Sequence, residues 1–114
     1  MIEQILGSLA AHGIDAQAHM FRTSDGHEID LVLEIGSNRV ALEVKLSASV
    51  SPQDMTRLDR AADLIGAEHR YLVCQTAAPA ANATRGALTL AGAMTRLERI
   101  GDYARGAKRP GRRA

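Results

Sequence analysis

The chain has 114 residues, 46% of them hydrophobic and 24% charged, which is the balance of one globular domain and excludes a mostly disordered chain. Its net charge of +1 hides an asymmetry: residues 105–114 carry five basic residues and no acid, while the rest holds nine basic and thirteen acidic residues, a balance of −4. One cysteine, Cys74, excludes a disulfide framework and a cysteine zinc cluster, and 3% aromatic residues are too few for a base-stacking platform.

In chain order, Ile2, Ile5, Leu6 and Leu9 recur at helical spacing, with Gly13 as the stop. This opening carries Glu3 and no basic run, so it does not read as a secretory signal, and a cytoplasmic location is expected. No apolar run approaches the roughly 18–20 residues of a membrane helix, so no membrane partner is expected. Residues 16–22 read as a strand. Thr23-Ser24-Asp25-Gly26 is a hairpin turn signal. Residues 27–35 alternate, with Ile29, Leu31, Leu33 and Ile35 on one side and Glu28, Asp30, Val32 and Glu34 on the other. Gly36-Ser37-Asn38 makes a second turn, and residues 39–46 alternate again. There Val40, Leu42, Val44 and Leu46 face one way, and Ala41, Glu43 and Lys45 the other.

The period then changes. Ser51-Pro52-Gln53-Asp54 supplies a capping hydroxyl, a proline at the first helical position and an acid at the third. Met55, Leu58, Ala62 and Ile65 follow at helical spacing up to Gly66, and residues 70–75 form a short apolar strand. Ala77 to Ala83 reads as a connection, Ala87 to Ala91 as a strand and Ala93 to Ala104 as a closing helix. The expected fold is α/β: helix, three-strand meander, helix and strand, with a mixed sheet flanked by helices. The domain is expected over 1–104, with 105–114 a basic, frayed tail. Ile29, Leu31, Leu33, Val40, Leu42 and Val44 are expected under the helices as core.

Period-2 geometry groups four charged residues. Glu43 and Lys45 leave one face of their strand about 6–7 Å apart, and Glu28 and Asp30 do the same on the preceding one. Pairing the two strands as a hairpin gathers three carboxylates around one ammonium, with the register left open. Such a face is costly when dry, because one lysine does not neutralise three carboxylates. A hard divalent cation does, and Mg²⁺ takes carboxylate, water and phosphate oxygens. That is a coherent site for metal-assisted phosphodiester hydrolysis. The bland alternative is a solvated sheet face with cross-strand Glu–Lys pairs. Cys74 reads as a buried filler, and no histidine pair has zinc-binding spacing.

The pattern Asp30-(x12)-Glu43-Val44-Lys45 resembles the PD-(D/E)XK nuclease superfamily, whose fold is restriction-endonuclease-like, over about residues 1–75. The longer strings F-R-T-S-D-G-H-E-I-D-L-V-L-E-I and V-A-L-E-V-K-L-S are similar to a domain of unknown function at the C-terminus of many prokaryotic AAA-type ATPases. The matching positions are Phe21, Arg22, Thr23, Gly26, Glu28, Asp30, Glu43, Val44, Lys45 and Ser47. The superfamily resemblance implies Asp30 and Glu43 as metal ligands, with the Val44 carbonyl as a third. It implies Lys45 as the catalytic lysine, Glu28 as an accessory acid and Glu3 as a remote one. Mg²⁺ or Mn²⁺ is the implied cofactor. Ile29 stands where the motif's name has proline. The chain holds no G-x-x-x-x-G-K-[ST] sequence, so it is expected to be a stand-alone derivative or a fragment of such an ATPase.

Three functions follow as expectations: a metal-dependent nuclease or nuclease-like domain acting on DNA, a catalytically silent interaction domain that docks on or regulates an ATPase or another partner, or a dimerising nucleic-acid-binding module whose grip is the arginine tail. The expected partners are DNA, a second copy of the chain or an ATPase. The tail residues Arg105, Lys108, Arg109, Arg112 and Arg113 are expected to contact DNA phosphates.

Overall fold

The computed structural model of the chain describes residues 1–45, 50–75 and 80–107, with side chains up to residue 104. Helix α1 (Ile2–Ala11) buries Ile5 and Leu9, the side that its apolar spacing predicts. It ends where the Gly13 and Ile14 amides donate back to Ala10 and Leu9, turning the chain into a meander. The meander's strands are β1 (Ala16–Arg22), β2 (Glu28–Ile35) and β3 (Asn38–Val44), paired antiparallel in sequence. Between β1 and β2 the Thr23 amide donates to His27, and Gly26 takes a φ of 100°, closed to most other residues.

Helix α2 (Pro52–Ile65) then crosses over the sheet to β4 (His69–Val73), which lies parallel to β3. A short strand β5 (Ala80–Ala81), β6 (Arg85–Leu88) and helix α3 (Leu90–Ala107) complete the chain. Strand β6 is parallel to β4, and β5 is antiparallel to β6 at the sheet edge. The six strands lie in the order β1-β2-β3-β4-β6-β5. The expected mixed α/β fold is therefore the fold observed.

Helices cover both faces of the sheet. On one, Leu31, Leu33, Val40, Leu42 and Tyr71 pack against Ile5 and Leu9 of α1 and Leu97 of α3. On the other, Ile29, Val32, Ala41 and Leu72 pack against Leu58, Ala61 and Ala62 of α2. Each fully buried Leu or Ile contributes about 1.5–3 kcal/mol by leaving water. Two expectations for the core need correction. Ile29 does not share a side with Leu31 and Leu33, because β1 and β2 slip between His19↔Val32 and Phe21↔Ile29. Two steps on β1 there span three on β2, a bulge that turns Ile29 over to the α2 face. Val44, at the end of β3, is only half-buried.

The ends of the elements also shift. The closing helix starts at Leu90 and runs to Ala107, past the expected boundary at 104. Ala80–Ala81, expected as connection, pairs with β6. Residues 76–79, Lys108, Arg109, Arg112 and Arg113 lie outside the described residues, and the Arg105 side chain does too. No helix among the described residues is long and apolar enough to cross a membrane.

Candidate active site

The regular ladder between β2 and β3 runs from Ile35↔Asn38 to Leu31↔Leu42. The next pair in register is Asp30 and Glu43, and there the side chains take over from the backbone. Asp30 Oδ2 accepts from the Val44 amide at 2.9 Å, and Glu43 Oε1 accepts from the Asp30 amide at 3.3 Å. Each carboxylate thus occupies the other strand's main chain. Glu43 and Lys45 both have the parity of Ala41, which lies under α2, so they emerge on the α2 side of the sheet.

Helix α2 meets them there. Ser51 and Asp54 form a reciprocal cap: the Ser51 amide donates to Asp54 Oδ2 at 2.8 Å, and the Asp54 amide donates to Ser51 Oγ at 3.2 Å. The other Asp54 oxygen receives Lys45 Nζ at 3.2 Å and Arg57 Nη2 at 2.6 Å. The Ser51 amide first, and Lys45 after it, hold the Asp54 carboxyl down to about 2. The result is a cleft of about 370 Å³ whose wall includes Glu28, Glu43, Lys45, Asp54, Arg57 and Arg60.

Glu43 carries the electrostatic cost of this arrangement. Its carboxyl is pushed up to about 7, first by burial and then by the Asp30 carboxylate. The Asp30 amide pulls it back, Glu28 pushes it further up, and Lys45 lowers it least. The folded state therefore holds a proton on Glu43 between about 4.5 and about 7 that the unfolded chain has lost. Stability from this group is present at low pH and is lost as pH rises through that window. Glu43→Gln is expected to remove the dependence. At pH 8 it should stabilise the fold by about 1 kcal/mol, allowing for water screening at a half-exposed group. Urea denaturation at pH 5 and pH 8 reads this directly. Equal pH dependence in both proteins would place the strain elsewhere.

The four grouped residues thus fall at one corner of the sheet, but not equivalently. Glu28, Glu43 and Lys45 line the cleft, and Glu28 also pairs with Arg22 at 3.5 Å. Asp30 is not part of the lining and meets the cleft through Glu43. Glu3 is exposed on α1, which packs its apolar side into the opposite sheet face, and it does not line the cleft. Cys74 is buried, as expected of a filler. Sequence reasoning passed over Asp54, which it took as a plain cap, and Arg57 and Arg60. The signal for the arginines was their spacing of three, which sets both on one side of α2.

A family model described as Domain of unknown function (DUF4143) matches residues 1–90. No curated protein and no solved structure matches the chain.

Proposed function

From the chain's membership of the Domain of unknown function (DUF4143) family, together with the geometry of its acidic corner, we propose that it is a metal-dependent nuclease domain hydrolysing DNA phosphodiester bonds. The observation that carries this reading is the exchange between Asp30 and Glu43 beside Lys45. Two carboxylates replace ladder bonds at a strand end, and an ammonium stands on the same face. A purely structural sheet would make those bonds with its backbone at no electrostatic cost. The resemblance of Asp30, Glu43, Val44 and Lys45 to the PD-(D/E)XK motif supports the same reading. The resemblance of the longer strings to the domain that follows AAA-type ATPases gives a cytoplasmic setting and belongs equally to the second reading below.

The donors fit a hard cation. Asp30 and Glu43 offer carboxylate oxygens and Val44 a main-chain carbonyl, and a positive charge would relieve the repulsion that raises Glu43. Among the described residues no group of three or more His, Cys, Asp or Glu side chains is placed to hold a metal. Mg²⁺ or Mn²⁺ tolerates this, since it is commonly held by one or two carboxylates and completed by water and phosphate oxygens. When bound, such an ion supplies charge for the phosphate and acidifies water. Lys45 would orient or deprotonate the attacking water, or offset charge on the phosphate. Its pairing with Asp54 holds the ammonium in place between substrates. Glu28 stands in the same cleft as an accessory acid.

The test is thermal stability against ion concentration. An ion that binds only the folded state stabilises it by about 1.4 kcal/mol at ten times Kd. For a domain of this size that is several degrees of Tm. Mg²⁺ at millimolar concentration is expected to raise Tm in the wild type and not in Asp30→Ala. Identical responses would remove the metal site. The second reading, a silent interaction domain related to the C-terminal domain of AAA-type ATPases, would then take its place. One observation favours it: Asp30, Glu43 and Lys45 all have partners inside the chain.

A further inference from the structure

The cleft lining is mixed in sign. Glu28 and Glu43 come from the sheet, and a polyanion approaching Lys45 meets their repulsion. On α2, Asp54 is followed at spacings of three by Arg57 and Arg60, and all three line the cleft. Arg57 is 68% exposed and, among the described residues, pairs with Asp54 at 2.6 Å. Asp54 keeps the Ser51 amide and Lys45 as partners if Arg57 turns away. The guanidinium end of this ion pair is open to water, where such pairs are weak. Arg60 has no ion-pair partner among the described residues.

Resting on the nuclease reading, we propose that Arg57 and Arg60 are the phosphate-binding wall of this site, gripping the backbone of duplex DNA at the mouth of the cleft. A guanidinium presents a planar fork of donors that matches phosphate oxygens, so two on one helix side can hold one strand's backbone. Arg57 exchanges Asp54 for phosphate, and Asp54 keeps the Ser51 amide as a partner. The grip reads backbone and not base edges, so it is indifferent to sequence. It also places positive charge inside the described cleft, independently of the tail.

The experiment is fluorescence anisotropy with a labelled 20-base-pair duplex, in Mg²⁺ and at several NaCl concentrations. It uses Lys45→Arg as the parent, which keeps a cation on Asp54 while the probe stays intact. Arg57→Gln with Arg60→Gln is expected to flatten the slope of log K against log salt by roughly 1.8 units, from about 0.9 for each phosphate contact. Arg99→Gln is the control, since Arg99 lines a separate cavity with Asn38 and Tyr103, and it should leave the slope at the parent's value. Superimposable curves for the parent and the double variant would overturn the proposal. So would an equal flattening by Arg99→Gln, or a parent that does not bind the duplex. The Mg²⁺ shift in Tm, read on the same proteins, separates the two readings. A flattened slope with an intact shift supports both. A flattened slope with no shift in any protein, the wild type included, keeps the phosphate wall and removes the metal site.

Discussion

Replacing Lys45 by Ala is expected to slow Mg²⁺-dependent DNA cleavage by about 10²–10⁴-fold, the range for removing a positioned acid–base group. The same variant should keep its Mg²⁺ shift in Tm, because an ammonium is not a metal ligand. Two effects then separate: the carboxylates hold the ion, and the lysine serves the reaction. The fold should survive, since Lys45 is about one-third exposed and its link to Asp54 is a partly exposed ion pair. Single-turnover cleavage with enzyme in excess measures the loss without interference from product release. Cleavage undiminished in Lys45→Ala would mean that the activity belongs to a contaminant or to another site.

Leu42→Ala is expected to destabilise the domain by about 2–5 kcal/mol, the cost of lost burial and a residual cavity. Leu42 is fully buried, with α1 and α3 packed over its face of the sheet. It is also the last regular partner of β2, opposite Leu31, immediately before the Asp30–Glu43 exchange. A void there therefore loosens the strand end that carries the site. Against a total stability of about 5–15 kcal/mol, the loss is a large fraction. Met20→Ala is the control, since Met20 is 65% exposed on β1 and should change stability by about 0.5 kcal/mol or less. Equal melts for wild type and Leu42→Ala would contradict the placement of this side chain in the core.

Much of this placement could be read from the residues. The alternation of 39–44 put Val40 and Leu42 opposite Ala41 and Glu43, and the structure keeps that division. The Ser51-Pro52 cap and Gly66 set both ends of α2, because each residue satisfies a specific backbone need there. Gly66 takes the left-handed conformation that closes the helix onto Ala62 and Asp63. What alternation could not show was the bulge. Period-2 reading assumes one residue per step on both strands, and the slip near Ile29 breaks that count. Val32 and Ala41, which share the parity of the charged residues, are buried because α2 lies across them. The charged residues of that face stand at its ends, Glu28, Glu43 and Lys45 at one and Glu34 with Arg39 at the other.

Two features depended on tertiary contact and left weaker marks. Strand β5 is two alanines, with no strand preference of their own. It forms because Gly86 lets the chain approach: a Cβ there would collide with the Ala80 carbonyl oxygen. The partnership of Asp54 with Lys45 joins the first turn of α2 to a residue just past β3, so no local pattern announces it. Its cap role was visible at Ser51, while its hold on the lysine required the crossover to be in place. Arg57 and Arg60 look like a solvated helix side until the cleft beneath them is known.

The most direct test of the nuclease site is cleavage of supercoiled and linear duplex DNA by purified wild type and Asp30→Ala, in Mg²⁺, in Mn²⁺ and in EDTA. The expected result is cleavage by the wild type with either ion, none in EDTA, and none by Asp30→Ala under any condition. A folded wild type that leaves both substrates intact in Mg²⁺ and Mn²⁺, or an Asp30→Ala variant that cuts as well as its parent, would contradict it.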